Sequence, residues 1–250
     1  MNEWLDDLLT AAGFLTRLPL PRRAGPGQVN LVRAYRMFPL VGAGIGGAAG
    51  LACLGLRGLG VPDLAAAALA LGAGLLLTGA LHEDGLADVA DGFSGGSDPA
   101  AKLEIMRDSR LGSYGALILL VSFVTKLSAL AALADGVVVQ AMIAAHALAR
   151  GVLPAMAMSL AFAREDGLAA SAGRPDFAIT ATAGALAFVI AWLALSFSVA
   201  LCAVVAAAAC AIGMAWLARR QIGGQTGDVL GAAEQAGETT ILVLLAAMLT

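Results

Sequence analysis

The sequence predicts an all-α protein, a polytopic bundle of six or seven transmembrane helices with a cytoplasmic N-terminus and an N-terminal amphipathic helix. Of the 250 residues, 60% are hydrophobic and 13% are charged, whereas soluble domains average about 45–50% apolar and about 25% charged residues. The mean hydropathy is +0.85. The apolar residues are also gathered in runs of the length that crosses a bilayer. Together these observations exclude a soluble globular domain, a disordered chain and a coiled coil.

Charge and cysteine content exclude further classes of protein. The formal net charge of −3 provides no basic face for nucleic acid. Cys53, Cys202 and Cys210 lie in apolar runs without paired spacing, which argues against a disulfide framework or a zinc site. The chain shows no repeat or linker, so we treat residues 1–250 as one integral-membrane domain. The sequence favours no particular oligomeric state.

The first predicted element is an amphipathic helix over residues 3–15. Its apolar residues recur at helical spacing on the face opposite Glu3, Asp6 and Asp7, which is typical of a helix at a membrane surface or against a bundle. No basic residue precedes an apolar run here, so the segment is not a signal peptide.

Long apolar runs then define the membrane spans. The predicted spans are Phe38–Leu56, Asp63–Leu81, Gly115–Ala134 and Val137–Leu160, followed by the uncharged run Ala178–Ala218 and a last segment, Val229–Leu249. As one helix, the uncharged run would be about 60 Å long, twice the hydrocarbon thickness. We therefore expect two helices that turn near Ser196–Ser198. The last segment begins with polar residues and either spans or dips into the membrane.

Basic residues predict the orientation. Of the 15 lysines and arginines, Arg57 falls in a connection on the side opposite the N-terminus, and Lys126 and Arg150 lie within spans. All the others fall on the side of the N-terminus, which the positive-inside rule makes cytoplasmic. The long polar connections, and any chemistry they carry, are thus expected to face the cytoplasm.

The polar segment directly after the second span is the richest in chemistry. If the helix continues, Asp84, Asp88 and Asp91 share one face at i, i+4 and i+7. Like charges at this spacing repel each other, and a divalent cation such as Mg²⁺ would explain them. Small residues between the acids are expected to leave room for a bulky ligand: Gly85, Ala87, Ala90 and Gly92. The alternative is a solvated polar helix end.

Two further polar clusters precede the third span and the last segment. In the first, Arg107 and Arg110 are suited to phosphate oxygens, and Asp108 lies beside them; the alternative is a salt-bridged surface loop. In the second, a glycine-rich turn carries Thr226 and Asp228. We expect Asp228 to cap the following helix, whose N–H groups could hold a phosphate.

Charged residues within the apolar segments have two interpretations. Glu234 and Glu238 are expected to face the bundle interior in a functional role. Lys126 and Arg150 form either structural ion pairs or the lining of a polar cavity, and His146, four residues before Arg150, is expected to be structural. The loop at residues 164–167 is either a surface loop or a lid over the site.

Three motifs together resemble the cobalamin-5′-phosphate synthase family, also called adenosylcobinamide-GDP ribazoletransferases. They are LTGALHEDGLADVADG at 77–92, MRDSRLGSYG at 106–115 and GGQTGDVLGA at 223–232. Residues 14–19, 38–42 and 163–168 are similar to that family as well, so the resemblance runs in order over nearly the whole chain.

The resemblance implies a late step of cobalamin biosynthesis in a bacterial inner membrane. Adenosylcobinamide-GDP would react with α-ribazole or its 5′-phosphate to give adenosylcobalamin or its 5′-phosphate and GMP. The implied enzyme is Mg²⁺-dependent, has its active site on the cytoplasmic side, and could associate with other late enzymes of the pathway.

This chemistry assigns roles to the residues of the motifs. The predicted metal ligands are Asp84, Asp88, Asp91 and Asp228. The predicted phosphate-binding residues are Arg107, Arg110, Arg150 and Thr226. The predicted catalytic residues are His82, Glu83 and Asp108, with His82 or a spare aspartate as the general base.

Two other functions remain as alternatives. Asp88-Val-Ala-Asp91-Gly92 matches the start of the CDP-alcohol phosphotransferase motif, but the later aspartates of that motif are not at its spacing. A transporter could place acids, Lys126 and Arg150 along a pathway. A transporter, however, needs access from both faces of the membrane, and the external side of this chain would be nearly without polar residues.

Overall fold

The computed structural model describes residues 3–20, 31–167, 170 and 173–249. Within these ranges the chain is helical, apart from turns, loops and an isolated bridge between Phe162 and Gln225. The helices are α1 (Glu3–Leu15), α2 (Leu31–Ala34), a 3₁₀ turn (Tyr35–Met37), α3 (Phe38–Gly58), α4 (Asp63–Thr78), α5 (Leu81–Gly95), α6 (Pro99–Ile105), α7 (Ser113–Ala132), α8 (Asp135–Gly151), α9 (Leu153–Ser159), α10 (Phe177–Ala194), α11 (Phe197–Ile222) and α12 (Gly227–Leu249).

Six helical segments among these residues are long and apolar enough to span a membrane, and the pair α4–α5 raises the number to seven if it counts as one broken span. This confirms the predicted all-α polytopic bundle. The uncharged run divides as expected, because α10 ends at Ala194 and α11 begins at Phe197. The last segment, α12, is one of the six.

The helix of the second span does not continue into the aspartates, which is the condition left open for their shared face; they lie on a separate helix. Gly79 and Ala80 both adopt left-handed backbone conformations, with φ of 68° and 55°, and α5 leaves α4 at an angle of 91°. Glycine adopts this conformation freely, whereas Ala80 costs about 1–2 kcal/mol. The aspartates therefore lie on a separate short helix that turns away from the span.

Helices α3 and α8 approach each other closely through glycines spaced every four residues. A Cβ atom added to Gly46 would lie 2.2 Å from the carbonyl oxygen of Met142, and one added to Gly42 would lie 2.4 Å from that of His146. Close backbone approach through small residues drives helix association where lipid removes the hydrophobic gain. The abundance of glycine in the sequence thus has a structural use here.

The connections lie at two ends, as alternating spans require. At one end, Arg57 pairs with Asp63 at 3.2 Å and with Asp135 at 3.0 Å, which joins the two short connections predicted to be external. At the other end, Arg164 approaches Asp228 at 3.4 Å. The long polar connections therefore meet around the start of α12.

Helix α1 lies against the bundle, with Ala11 and Leu15 fully buried. Its polar face differs from the prediction at one position. Asp7 is buried, and its carboxylate binds Arg33 at 2.7 Å and also Arg36. An acid expected to face away from the apolar side thus anchors α1 to the residues that precede α3.

The α3–α8 contact generates a stability prediction. We expect Gly46→Ala to destabilise the protein by about 1–3 kcal/mol, because the new methyl group would overlap the backbone of α8. Gly44 is the matched control on the same helix, since an added Cβ there meets no atom within 4 Å. Gly44→Ala should be neutral or stabilising. Thermal unfolding of both variants in one detergent tests this, and equal melting temperatures would contradict it.

Candidate active site

Helices α5 and α12 cross in direct backbone contact. A Cβ atom added to Gly85 would lie 2.8 Å from the carbonyl oxygen of Asp228, and one added to Gly231 would lie 3.2 Å from the Cα of His82. The expectation that Gly85 and Gly92 leave room for a ligand is therefore wrong. Gly85 is filled by α12, and Gly92 is packed against Met106 and the carbonyl of Lys102. Their small size instead brings Asp228 beside α5.

The crossing gathers the four predicted metal ligands at one end of the bundle. Asp84 is exposed, and Asp88, Asp91 and Asp228 are half-buried. Asp88 interacts electrostatically with the charges of the other three and with that of Arg164. The side-chain carboxylates of Asp84 and Asp88 have no hydrogen-bond or ion-pair partner among the residues that the structure describes. Unpaired carboxylates that repel each other are a donor set suited to Mg²⁺, which prefers hard oxygen ligands.

Asp91 has a structural role in addition to its place in this cluster. Its two carboxylate oxygens accept hydrogen bonds from the backbone N–H groups of Gly112 and Gly115, both at 2.8 Å. A Cβ atom at either glycine would lie 2.4 Å from a carboxylate oxygen. The carboxylate thus caps the N-terminus of α7 and explains the glycines of that motif.

Two of the predicted phosphate-binding arginines, Arg107 and Arg110, lie in the exposed loop between α6 and α7. Arg110 donates to Asp108 through Nε at 3.0 Å and through Nη2. Its guanidinium lowers the pKa of the Asp108 carboxyl below its ordinary value. Arg107 pairs with Asp166 on the loop after α9. Each of these arginines is thus held by a carboxylate at the surface.

Thr226, rather than Asp228, caps α12. The helix begins at Gly227, and the Thr226 hydroxyl accepts a hydrogen bond from the N–H of Val229 at 3.3 Å. The same hydroxyl donates to the Asp228 carboxylate at 3.1 Å. The expectation that Asp228 is the N-cap is wrong, because Asp228 is the second residue of the helix and Thr226 orients it.

Arg164 lies outside the set of site residues predicted from the sequence. The backbone at Ala161 and Ala163 pairs with Gln225 through hydrogen bonds of 2.8 and 2.9 Å, which places the loop of residues 164–167 beside the start of α12. The Arg164 guanidinium lies 3.4 Å from Asp228. Its Nη1 is buried and has no partner among the described residues. The likeness of residues 163–168 to the family was the sequence signal for this loop.

A second group of polar side chains, all buried except the half-buried Glu83, lies between the helices. It comprises His82, Glu83, Lys126, His146, Arg150, Glu234, Gln235 and Glu238. Arg150 pairs with Glu234 and, at 3.4 Å, with Glu238. Lys126 contacts Glu238 at 3.2 Å, and His82 contacts Glu234 at 3.2 Å. Glu234 and Glu238 thus face the interior, and the two basic residues are ion-paired, as one interpretation predicts.

The structure therefore divides the predicted site residues into three sets. His82, Glu83 and Arg150 belong to the buried network. The aspartates of α5 lie beside the start of α12 with Thr226 and Asp228, and Arg107, Asp108 and Arg110 lie in the exposed loop between α6 and α7. Among the described residues, the group of at least three potential metal ligands with ligand atoms within 4.8 Å of one another is His146, Glu234 and Glu238, so no three of the predicted aspartate ligands approach one another this closely. Lys126 and Arg150 already supply positive charge there, so this group is explained as ion pairs.

The comparisons identify relatives over nearly the whole length. The family model described as cobalamin-5-phosphate synthase matches residues 7–246. A protein of Bradyrhizobium diazoefficiens named adenosylcobinamide-GDP ribazoletransferase is 46% identical over 242 residues, covering 96% of this chain and 93% of the relative. Relatives with the same name from Sinorhizobium (40% identity, 98% of each chain) and Ralstonia nicotianae (41%, 99% of this chain and 97% of the relative) are similar to it. No solved structure matches the chain.

The cap formed by Asp91 generates a prediction that separates it from Asp84. Asp91→Ala should lower stability by about 1–2 kcal/mol, because two N–H groups at the start of α7 lose their acceptor. Asp84→Ala is the matched control on the same helix face, and it should not destabilise the protein. Thermal unfolding in one detergent measures both. Equal losses, or a larger loss for Asp84→Ala, would contradict the capping role.

Arg150 generates a second prediction. Arg150→Met should cost about 3–5 kcal/mol, because it leaves Glu234 and Glu238 buried without their shared cation. Arg150→Lys keeps a charge and should lose less. The exposed Arg110→Met is the control and should not change the melting temperature. A melting temperature of Arg150→Met equal to that of the wild type would show that the network contributes little to stability.

Proposed function

The chain belongs to the cobalamin-5-phosphate synthase family, and we propose that it carries out the family's reaction with Mg²⁺ held by the aspartates of α5 and α12. The reaction is that of an adenosylcobinamide-GDP ribazoletransferase in cobalamin biosynthesis. Cobinamide phosphate passes from adenosylcobinamide-GDP to α-ribazole or its 5′-phosphate, and GMP is released.

The observation that carries this proposal is the pair of unpartnered carboxylates, Asp84 and Asp88, beside Asp228. These three would hold Mg²⁺, with Asp91 contributing the lone pairs that its backbone hydrogen bonds leave over. Mg²⁺ bound there would neutralise the negative charge on the phosphate oxygens.

The chemistry also needs a proton acceptor. A P–O bond forms between a ribose hydroxyl and the phosphorus attached to cobinamide, and the bond from that phosphorus to the oxygen of GMP breaks. If the ribazole substrate carries a 5′-phosphate and retains it in the product, the hydroxyl that reacts must be one on the ribose ring. The hydroxyl proton passes to a base, and GMP leaves with the bonding electrons. Because His82 is buried within the ion-paired network, we assign the base to a carboxylate oxygen of Asp84 or Asp88 that does not bind Mg²⁺.

The phosphates of the substrate need hydrogen-bond donors that either have no partner or can exchange their present partner for a phosphate oxygen. Arg164 has an unpartnered buried Nη1 beside the aspartates, so we assign it to the pyrophosphate. Arg107 is half-exposed and Arg110 is exposed, and each can exchange a surface carboxylate for a phosphate oxygen. Thr226 would contribute indirectly, because its hydroxyl orients Asp228. Arg150 would also contribute indirectly, because it holds Glu234 and Glu238 of α12 in place.

The setting that we propose is the bacterial inner membrane, with the aspartate end facing the cytoplasm. The support is the distribution of basic residues over the connections at that end. The bilayer then surrounds the apolar helices, and other late enzymes of the pathway would reach the site from the cytoplasmic side.

The first test is Asp88→Asn in detergent-purified protein with adenosylcobinamide-GDP, α-ribazole and Mg²⁺. We expect wild-type GMP release that EDTA abolishes, and a loss of at least about 100-fold in the variant, because a carboxylate ligand becomes a neutral amide. Asp63→Asn, at the opposite end of the bundle, is the control and should retain activity within twofold.

Three outcomes would contradict parts of this proposal. GMP release that persists in EDTA would remove the metal, and full activity of Asp88→Asn would remove the site. Release of CMP from a CDP-alcohol, with no GMP from adenosylcobinamide-GDP, would favour the lipid head-group alternative.

A further inference from the structure

A cavity of about 470 Å³ lies between α3, α4, α7, α8 and α12. Much of its wall is apolar, including Ala49, Ala70, Leu71, Leu119, Phe123 and Met142. Half of the remaining lining residues belong to the buried network: Glu83, Lys126, His146, Arg150, Gln235 and Glu238. The reaction sequence described above leaves this cavity without a role.

Three atoms of the network have no hydrogen-bond partner among the described residues: His146 Nε2, Arg150 Nε and Glu234 Oε1, the last of which is ion-paired with Arg150. His146 is buried, and its Nδ1 lies 3.0 Å from the Glu238 carboxylate, which fixes the ring. Its Nε2 has no hydrogen-bond partner among the described residues, although the side chain lines the cavity. A buried ring nitrogen without a partner is unfavourable, so a ligand that supplies the missing hydrogen bond would be stabilised here.

The cavity also reaches the start of the aspartate helix. Thr78, Ala80 and Glu83 line it, and these residues form the end of α4, the bend and the first turn of α5. Asp84 follows Glu83 directly, and Asp88 lies about 7.5 Å from Glu83 along the helix axis. A ligand in the cavity can therefore extend past the bend towards the aspartates.

We propose that this cavity binds the heteroaromatic base of the ribazole acceptor, with His146 Nε2 hydrogen-bonded to the ring nitrogen that does not carry the ribose. This inference rests on the proposed function. The base is a planar, apolar bicycle with one free acceptor nitrogen, which matches an apolar cavity with one spare ring nitrogen. The corrin macrocycle is several times larger than such a base, and guanine has donors and acceptors around its edge that would need several free partners.

The contacts of the network favour Nε2 of His146 as the donor. Its Nδ1 lies 3.0 Å from Nη1 of Arg150 and 3.0 Å from the Glu238 carboxylate. When Nδ1 accepts a hydrogen bond from Arg150, the proton of the ring lies on Nε2, and this N–H group donates to the base.

Two glycines on α4 provide a matched test. Gly74 lines the cavity and Gly72 does not, and an added Cβ at either meets no atom within 4 Å. Gly74→Leu should raise the KM for α-ribazole about tenfold or more, because the side chain fills space that the base needs. The KM for adenosylcobinamide-GDP should stay within twofold, and Gly72→Leu should change neither.

A change in the substrate tests the hydrogen bond without a protein variant. The α-riboside of dimethylindole keeps the bicycle and replaces the free ring nitrogen with C–H. Its KM with the wild-type enzyme should be about tenfold higher than that of α-ribazole, the usual effect of one lost hydrogen bond. An unchanged KM would overturn the role of His146.

The outcomes separate this inference from the proposed function. Wild-type protein that releases no GMP with any acceptor would overturn the function itself. Active wild type with unchanged KM values in Gly74→Leu would overturn the assignment of the cavity to the base. A raised KM for adenosylcobinamide-GDP alone would place a part of that donor in the cavity. If Gly74→Leu melts well below Gly72→Leu, Gly74→Ala in the same assay replaces it, with a smaller rise expected.

Discussion

Glu234 and Glu238 are buried carboxylates on a helix that crosses a membrane, where a charge is stable only beside an opposite charge. Arg150 from α8 and Lys126 from α7 supply positive charge, and His82 from α5 contacts Glu234. Apolar helices in lipid gain little from burying one another. These ion pairs therefore give α12 a defined rotation and depth against three neighbours.

The position of the aspartates depends on that arrangement. With α12 fixed, the glycines at 85 and 231 bring α5 against it, and Asp228 comes to lie beside Asp84 and Asp88. The left-handed residues Gly79 and Ala80 then direct α5 away from α4. The unfavourable conformation of Ala80 persists because both flanking helices are held by their own contacts.

Much of the fold can be predicted from the hydropathy of the sequence, whereas less of the site can. The run from Ala178 to Ala218 is too long for one helix, so the break near Ser196 is predictable from length alone. The bend at Ala80 is not, because alanine is the best helix former and the left-handed conformation is imposed by packing. The helical period alone predicts that His82 and Asp84 lie on opposite sides of α5, because two residues correspond to about 200° around the helix. The cap that Asp91 forms on α7 depends on a contact between distant segments and has no local signal.

The carboxylates at two depths on α12 explain how the unpaired Asp84 and Asp88 can lie beside Asp228. Asp228 lies about 9 Å along the helix axis from Glu234, near the end where the polar connections meet. The deeper acids are paired and buried, so they fix the helix. The outer aspartates repel one another, and free helices would relieve that repulsion by separating. Because the network and the glycine contacts hold α5 and α12 together, the repulsion instead remains stored at the surface of the bundle, where a cation and a phosphate can relieve it.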